Sequence, residues 1–267
     1  MSNLRGDKLL GTNNEEIGSL GGAINVHMAG VHNYPINDGF HRHTGTSTTL
    51  TVASSVGATS ITVASSTGIV AGNTIQIGGH VSTDLTYTKV LSVAGNVLNL
   101  NRPLGHARAI GATVEVVETD ISSIVGTIAS PISYRVIPSS GLVWHIERFV
   151  IEMVHSSAGD TGLFGNLTAL ANGCVLRKYN GIDGTFSTFD VWQSNADIYL
   201  DFGDIHFETR SGGGGSYATI GFGSFEAIGV TVKLDASIGD YMEILIQDDI
   251  TALTSFRMRA QGHLEGF

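Results

Sequence analysis

The run Gly239-Asp-Tyr-Met-Glu-Ile-Leu-Ile-Gln-Asp-Asp249 constrains this chain more than any other stretch. Met242, Ile244 and Ile246 alternate with Tyr241, Glu243, Leu245 and Gln247. A period of two puts the first set on an apolar face and the second on a mixed one, as in a half-buried strand. Phe256-Arg-Met-Arg-Ala260 repeats the pattern, with Arg257 and Arg259 turned away from the apolar trio. Residues 248–255 between them are polar and too few for a core helix, so they read as a loop. Antiparallel strands joined by polar loops predict a sandwich or barrel, not a doubly wound α/β enzyme.

Composition narrows the classes further. With 35 Gly, 42% hydrophobic and only 14% charged residues among 267, the chain can bury a sizeable core and turn often, which disordered sequences cannot do. Its net charge of −10 argues against a phosphate-backbone partner, so no nucleic acid is expected. No apolar run reaches the roughly 18 residues of a membrane helix, and no membrane partner is expected. Residues 1–8 lack an apolar segment after their charges and do not read as a secretory signal. Cys174 is the sole cysteine, so no intrachain disulfide can form. It reads as a small buried apolar residue, compatible with assembly in a reducing cytoplasm.

Along the chain, residues 1–47 show no sustained period. Asn13, Asn14, Gly21 and Gly22 break any helix, and Pro35, Asn37, Asp38 and Gly39 mark turns. This stretch reads as an extended attachment arm without a core of its own, with His27, His32, Tyr34 and Phe40 as its anchoring residues. Residues 48–118 read as a small β-barrel module of five or six short strands. Within it Leu50-Thr-Val-Ala-Ser-Ser-Val-Gly57 and Ile61-Thr-Val-Ala-Ser-Ser-Thr-Gly68 are near-copies, and Ala94-Gly-Asn96 is a hairpin turn. Residues 119–141, rich in Ser, Gly and Pro, read as a connector. Residues 142–267 read as a jelly-roll β-sandwich of about eight strands, including 198–202 and 206–208, with one candidate helix at 163–170. The expected fold class is all-β.

His41-Arg-His43 is the sharpest chemical constellation. On a strand the two imidazoles share a face. Three chains meeting on an axis would bring six such nitrogens together, enough for an octahedral transition metal, whereas one chain supplies too few ligands for a structural zinc. Histidines of a polar arm bonded to backbone or water are the plainer alternative. Asp190, Asp197, Asp201 and Asp204 offer the hard oxygen donors calcium takes. Trp192 and Tyr199 could stack on sugar rings, although packing accounts for aromatic residues equally well.

Signals for catalysis are weak. Glu147 and Glu152 stand five apart on one strand and should face opposite ways, and Asp248 and Asp249 are adjacent in a turn. Residues 212–215 lack the Lys-Ser/Thr ending of a phosphate loop. No catalytic residue is assigned, and no enzyme is expected.

The stretches Val26-His-Met-Ala-Gly-Val-His-Asn-Tyr-Pro-Ile36 with Phe40-His-Arg-His-Thr-Gly45, the module from Thr59 to Val117, and the closing run from Asp248 to Gly262 resemble virion structural proteins of tailed bacteriophages, marine siphovirus-like ones in particular. The resemblance covers most of the chain. It implies a non-enzymatic part of a capsid surface, neck or tail, often homotrimeric, assembled in the host cytoplasm beside capsid, portal or tail proteins. Two rival readings are a receptor- or glycan-binding tail tip and a glycan depolymerase.

Overall fold

The computed structural model describes residues 8–10, 16–19, 35–78, 86–121, 124–138, 141–156, 162–165, 167–201, 208–212 and 216–264. Strands dominate, as the alternating patterns require. β1 (Lys8–Leu10) and β2 (Glu16–Ser19) form a two-stranded sheet of their own. The remaining strands build two cores joined by one continuous sheet.

The first core belongs to a small barrel. Its strands are β4 (His41–Thr49), β5 (Ser60–Thr62), β6 (Thr74–Ile77), β7 (Thr86–Ala94), β8 (Val97–Leu100) and β9 (Thr113–Glu118). They pair antiparallel in the order β4-β9-β6-β7-β8-β5. The Leu50↔Val63 bridge then joins the continuation of β4 to that of β5 and closes the ring. β7 makes the closure possible: Thr86–Lys89 pair with β6 and Val90–Ala94 with β8, with a register shift between the two ladders. The interior comes wholly from residues 50–116, among them Leu50, Ile61, Ile75, Leu98 and Val114. The near-copy segments place the equivalent Leu50 and Ile61 in this core, but Val52 is exposed where its counterpart Val63 is buried, so the two copies do not pack alike.

The second core lies between two antiparallel sheets. One continues the barrel sheet through β4 to β10 (Ile132–Val136), β17 (Tyr241–Ile246), β12 (Cys174–Asn180) and β13 (Thr185–Trp192). The other runs β14 (Glu208–Gly212), β15 (Ser216–Ser224), β11 (Val143–His155), β18 (Ser255–Leu264) and β3 (Pro35–Gly39), with β16 (Val232–Asp235) on the free half of β11. Met242, Ile244 and Ile246 point into this core, as their alternation predicts, opposite Phe149, Ile151, Phe256 and Met258.

Residues 35–47 are therefore not an arm. β3 pairs with β18, β4 pairs with both β9 and β10, and the chain crosses from one sheet to the other at Phe40. Phe40 is fully buried, 5.8 Å from the Tyr134 ring, and its amide donates to the Met258 carbonyl. A short segment rich in turn residues hides a strand pair when its partners lie some 90 and 220 positions away, because pattern alone carries no long-range information. The supposed connector is part of the same core: Ile121 is buried, and β10 sits between β4 and β17.

Two local readings also change. Residues 198–202 do not form a strand; α1 (Asn195–Asp201) occupies that region. Its first turn carries a capping box, in which Asp197 Oδ2 accepts from the Gln193 and Ser194 amides while Ser194 Oγ faces the Asp197 amide at 3.4 Å. The candidate helix at 163–170 is replaced by turns around Gly165, whose φ of 53° lies outside helical space.

Candidate functional site

Polar chemistry gathers on the outer face of the long sheet, where the barrel meets the sandwich. β17 is buried on both faces, so Glu243 has no exposed surface. Register places Arg135 of β10 on one side of it and Arg177 of β12 on the other. Glu243 Oε1 accepts from Arg135 Nε at 2.7 Å, Oε2 from Arg177 Nε at 2.8 Å, and Ser133 Oγ donates as well. Burial pushes the Glu243 carboxyl up, but the Arg135 charge and these hydrogen bonds outweigh it and hold the group below its ordinary value. The guanidinium of Arg135 also lies 4.7 Å from the Tyr241 ring centre and that of Arg177 3.6 Å from Phe186.

His41 follows Arg135 across the sheet. It is buried, its ring stacks on Tyr87 of β7 at 4.0 Å, and its Nδ1 has no hydrogen-bond partner. His43 lies on the same face, as the two-residue spacing requires, with Nδ1 2.8 Å from Glu115 Oε2. Burial lowers both imidazoles to about 4, helped by the neighbouring histidine for His41 and by Arg135 for His43. The pair is neutral at neutral pH. Among the described residues no three His, Cys, Asp or Glu side chains converge as a metal requires. His41 and His43 pack within their own chain, against Tyr87 and Glu115.

Beside His41 opens a cleft of about 520 Å³. Lys89 and Arg102 line it from the barrel, and Asp38, Asp120, Arg257 and Arg259 from the sandwich. Asp120 is fixed by Ser255 Oγ, the Phe256 amide and two donors of Arg257, at 2.8, 3.2, 3.0 and 2.7 Å. Burial pushes the Asp38 carboxyl up to about 6, against the Gly39 amide and the Arg259 charge. A recess of about 180 Å³ adjoins the cleft, shares Lys89 and Arg102 with it, and has Tyr87 in its wall.

The other sequence candidates disperse. Trp192 is fully buried, 5.1 Å from Phe149, and cannot meet a sugar. Tyr199 falls within α1, and its side chain lies outside the described residues. His27, His32 and Tyr34 lie outside the described residues, and Phe40 is a core side chain instead of an anchor. In the proposed calcium cluster, Asp197 caps α1 and Asp190 accepts from the Val191 amide; Asp204 lies outside the described residues, as does the Asp201 side chain. Asp248 accepts from the Ala171, Asn172 and Gly173 amides and locks that turn. Cys174 is fully buried, and burial raises its thiol well above the ordinary value.

One parity argument fails for an instructive reason. A register shift between Ile146 and Arg148 turns Trp144 and Ile146 inward together with Phe149, Ile151 and Met153. Glu147 and Glu152 thereby share the outer face. They still form no catalytic pair, because Glu147 binds His263 at 2.7 Å while Glu152 faces Arg257 at 4.0 Å. The junction cleft is not legible in the sequence because its walls come from five separate stretches; Arg257 and Arg259, outward on an alternating strand, are the one legible part. No family model, curated protein or solved structure matches this chain.

Proposed function

We propose that this chain is a structural component of a tailed-phage virion, displaying a jelly-roll domain on the capsid, neck or tail as a homotrimer. Residues ahead of Pro35 hold it to neighbouring particle proteins. The observation that carries this reading is the hairpin β12–β13, which among the described residues ends the long sheet in an open edge. Ile182 at its turn is 77% exposed, and Phe186 and Val191 on β13 are 39% and 44% exposed. An unpaired edge with bare apolar side chains is an aggregation hazard unless a symmetric neighbour covers it. The continuous sheet supports the reading too, since hydrogen-bonded strands hold the two units in one fixed relation, as a particle part needs.

Two measurements test it. Sedimentation of the purified chain should give a trimer, and Ile182→Asp with Phe186→Ser should shift it to monomer; a monomeric parent would sink the oligomer claim. A chain lacking residues 1–34 should fold yet stay off assembled particles in an electron-microscopy map. Normal incorporation would remove the anchoring role.

A further inference from the structure

We infer that the cleft between barrel and sandwich binds a small ligand bearing an oxyanion, a phosphate or carboxylate group. This stands apart from the virion reading and rests on different residues. In a chain with 24 acidic and 14 basic side chains, four of the basic ones, Lys89, Arg102, Arg257 and Arg259, line a single cleft facing only two carboxylates. Like charges gathered against the balance of the whole chain repel one another unless something negative sits between them. Lys89, Arg102 and Arg259 form no direct ion pair among the described residues, so their donors are free for a ligand. Arg257 is already held by Asp120 through Nε and one Nη, and its other Nη lies 4.0 Å from Glu152, so it adds charge to the cleft more than free donors.

The floor supplies the second observation. His41 is 5% exposed and lines the cleft, and its Nδ1 lacks a partner. The Tyr87 hydroxyl, in the adjoining recess, is also buried and unpaired. One orphaned polar atom beside the cleft and another beside its recess are what a bound polar group would satisfy. Because Lys89 and Arg102 come from the barrel and the remaining cations from the sandwich, a bound oxyanion would also bridge the two units.

Calorimetric titration of the full chain with inorganic phosphate, and separately with glucuronate, at low ionic strength tests this. The expected result is one saturable site for at least one probe; the preferred probe distinguishes a phosphate source from a carboxylate one. Arg102→Gln and Lys89→Gln, both on exposed barrel positions away from the core, should each weaken it about tenfold with an unchanged melting temperature. Lys178→Gln, on β12 and separated from β4 by β10 and β17, should leave it intact. No saturable site for either probe, or equal loss with Lys178→Gln, overturns the proposal.

Discussion

Glu243 shows how far one side chain can depart from what its neighbours in sequence foretell. Its place on the mixed face of an alternating strand predicts partial exposure, yet it is fully buried between two guanidiniums. Arg135 and Arg177 lie 108 and 66 positions away, so no local pattern could bring them to it. Glu243→Ala would leave both cations facing each other. Complete burial would make that cost roughly 3–5 kcal/mol. Both arginines are about a quarter exposed, so water screens them and we expect about 2–3 kcal/mol, read from urea denaturation. A loss below about 0.5 kcal/mol would mean that the ion pairs are not what holds this face.

Asp38 and the two histidines set opposing pH dependences. The Asp38 carboxyl sits at about 6 in the folded chain against 3.8 ordinarily, so folding favours its protonated form. Its contribution opposes folding at neutral pH and fades as pH falls from about 6 to 3.8. Asp38→Asn, which keeps an acceptor for the Gly39 amide, should therefore raise stability at pH 7 by about 1–2 kcal/mol and change little near pH 4. His41 and His43 sit at about 4 against 6.5, so their neutral forms favour the fold, and that stability drains away as pH falls from 6.5 toward 4. Two histidines outweigh one aspartate. The melting temperature of the parent should fall between pH 7 and 5, and His43→Gln should flatten that slope; a melting temperature independent of pH over this range contradicts the buried neutral pair.

Among elements, β11 and β15 carry the clearest lesson. Phe149 lies over Gly223 of the neighbouring strand, and a Cβ there would come within 2.1 Å of its ring. The ring cannot swing aside, since Trp192 and Phe225 flank it at 5.1 and 5.8 Å. Gly223→Ala should cost roughly 2–3 kcal/mol by overpacking, seen as a lower denaturation midpoint with an unchanged slope. An unchanged midpoint would show that the ring has room to move. Gly223 does not stand out in the sequence, because the need for an absent side chain there is set by Phe149 of the partner strand. The register shift beside Glu147 was not legible, because a bulge answers to the partner strand and not to its own residues.

For the whole molecule, the consequence of strand exchange at Phe40 is that the foldable unit begins near Pro35. A chain without residues 1–34 should melt within about 2 °C of the parent, whereas removal of 1–43 strips away β3, Phe40 and the start of β4 and should abolish cooperative melting. A stable, soluble chain beginning at residue 44 would mean that the sandwich does not need this crossing. The amino-acid order by itself determined the all-β class, the inward face of β17 and β18, and the barrel core from residues 50–116, because side-chain alternation and turn chemistry are local properties of a strand. Only the tertiary structure decided that Ile36, Phe40, Ile121 and Tyr134 belong inside, that Trp192 is core, and that four cations from distant segments share a cleft. Strand pairing depends on the face a partner offers, and the sequence of one strand does not state which partner that will be.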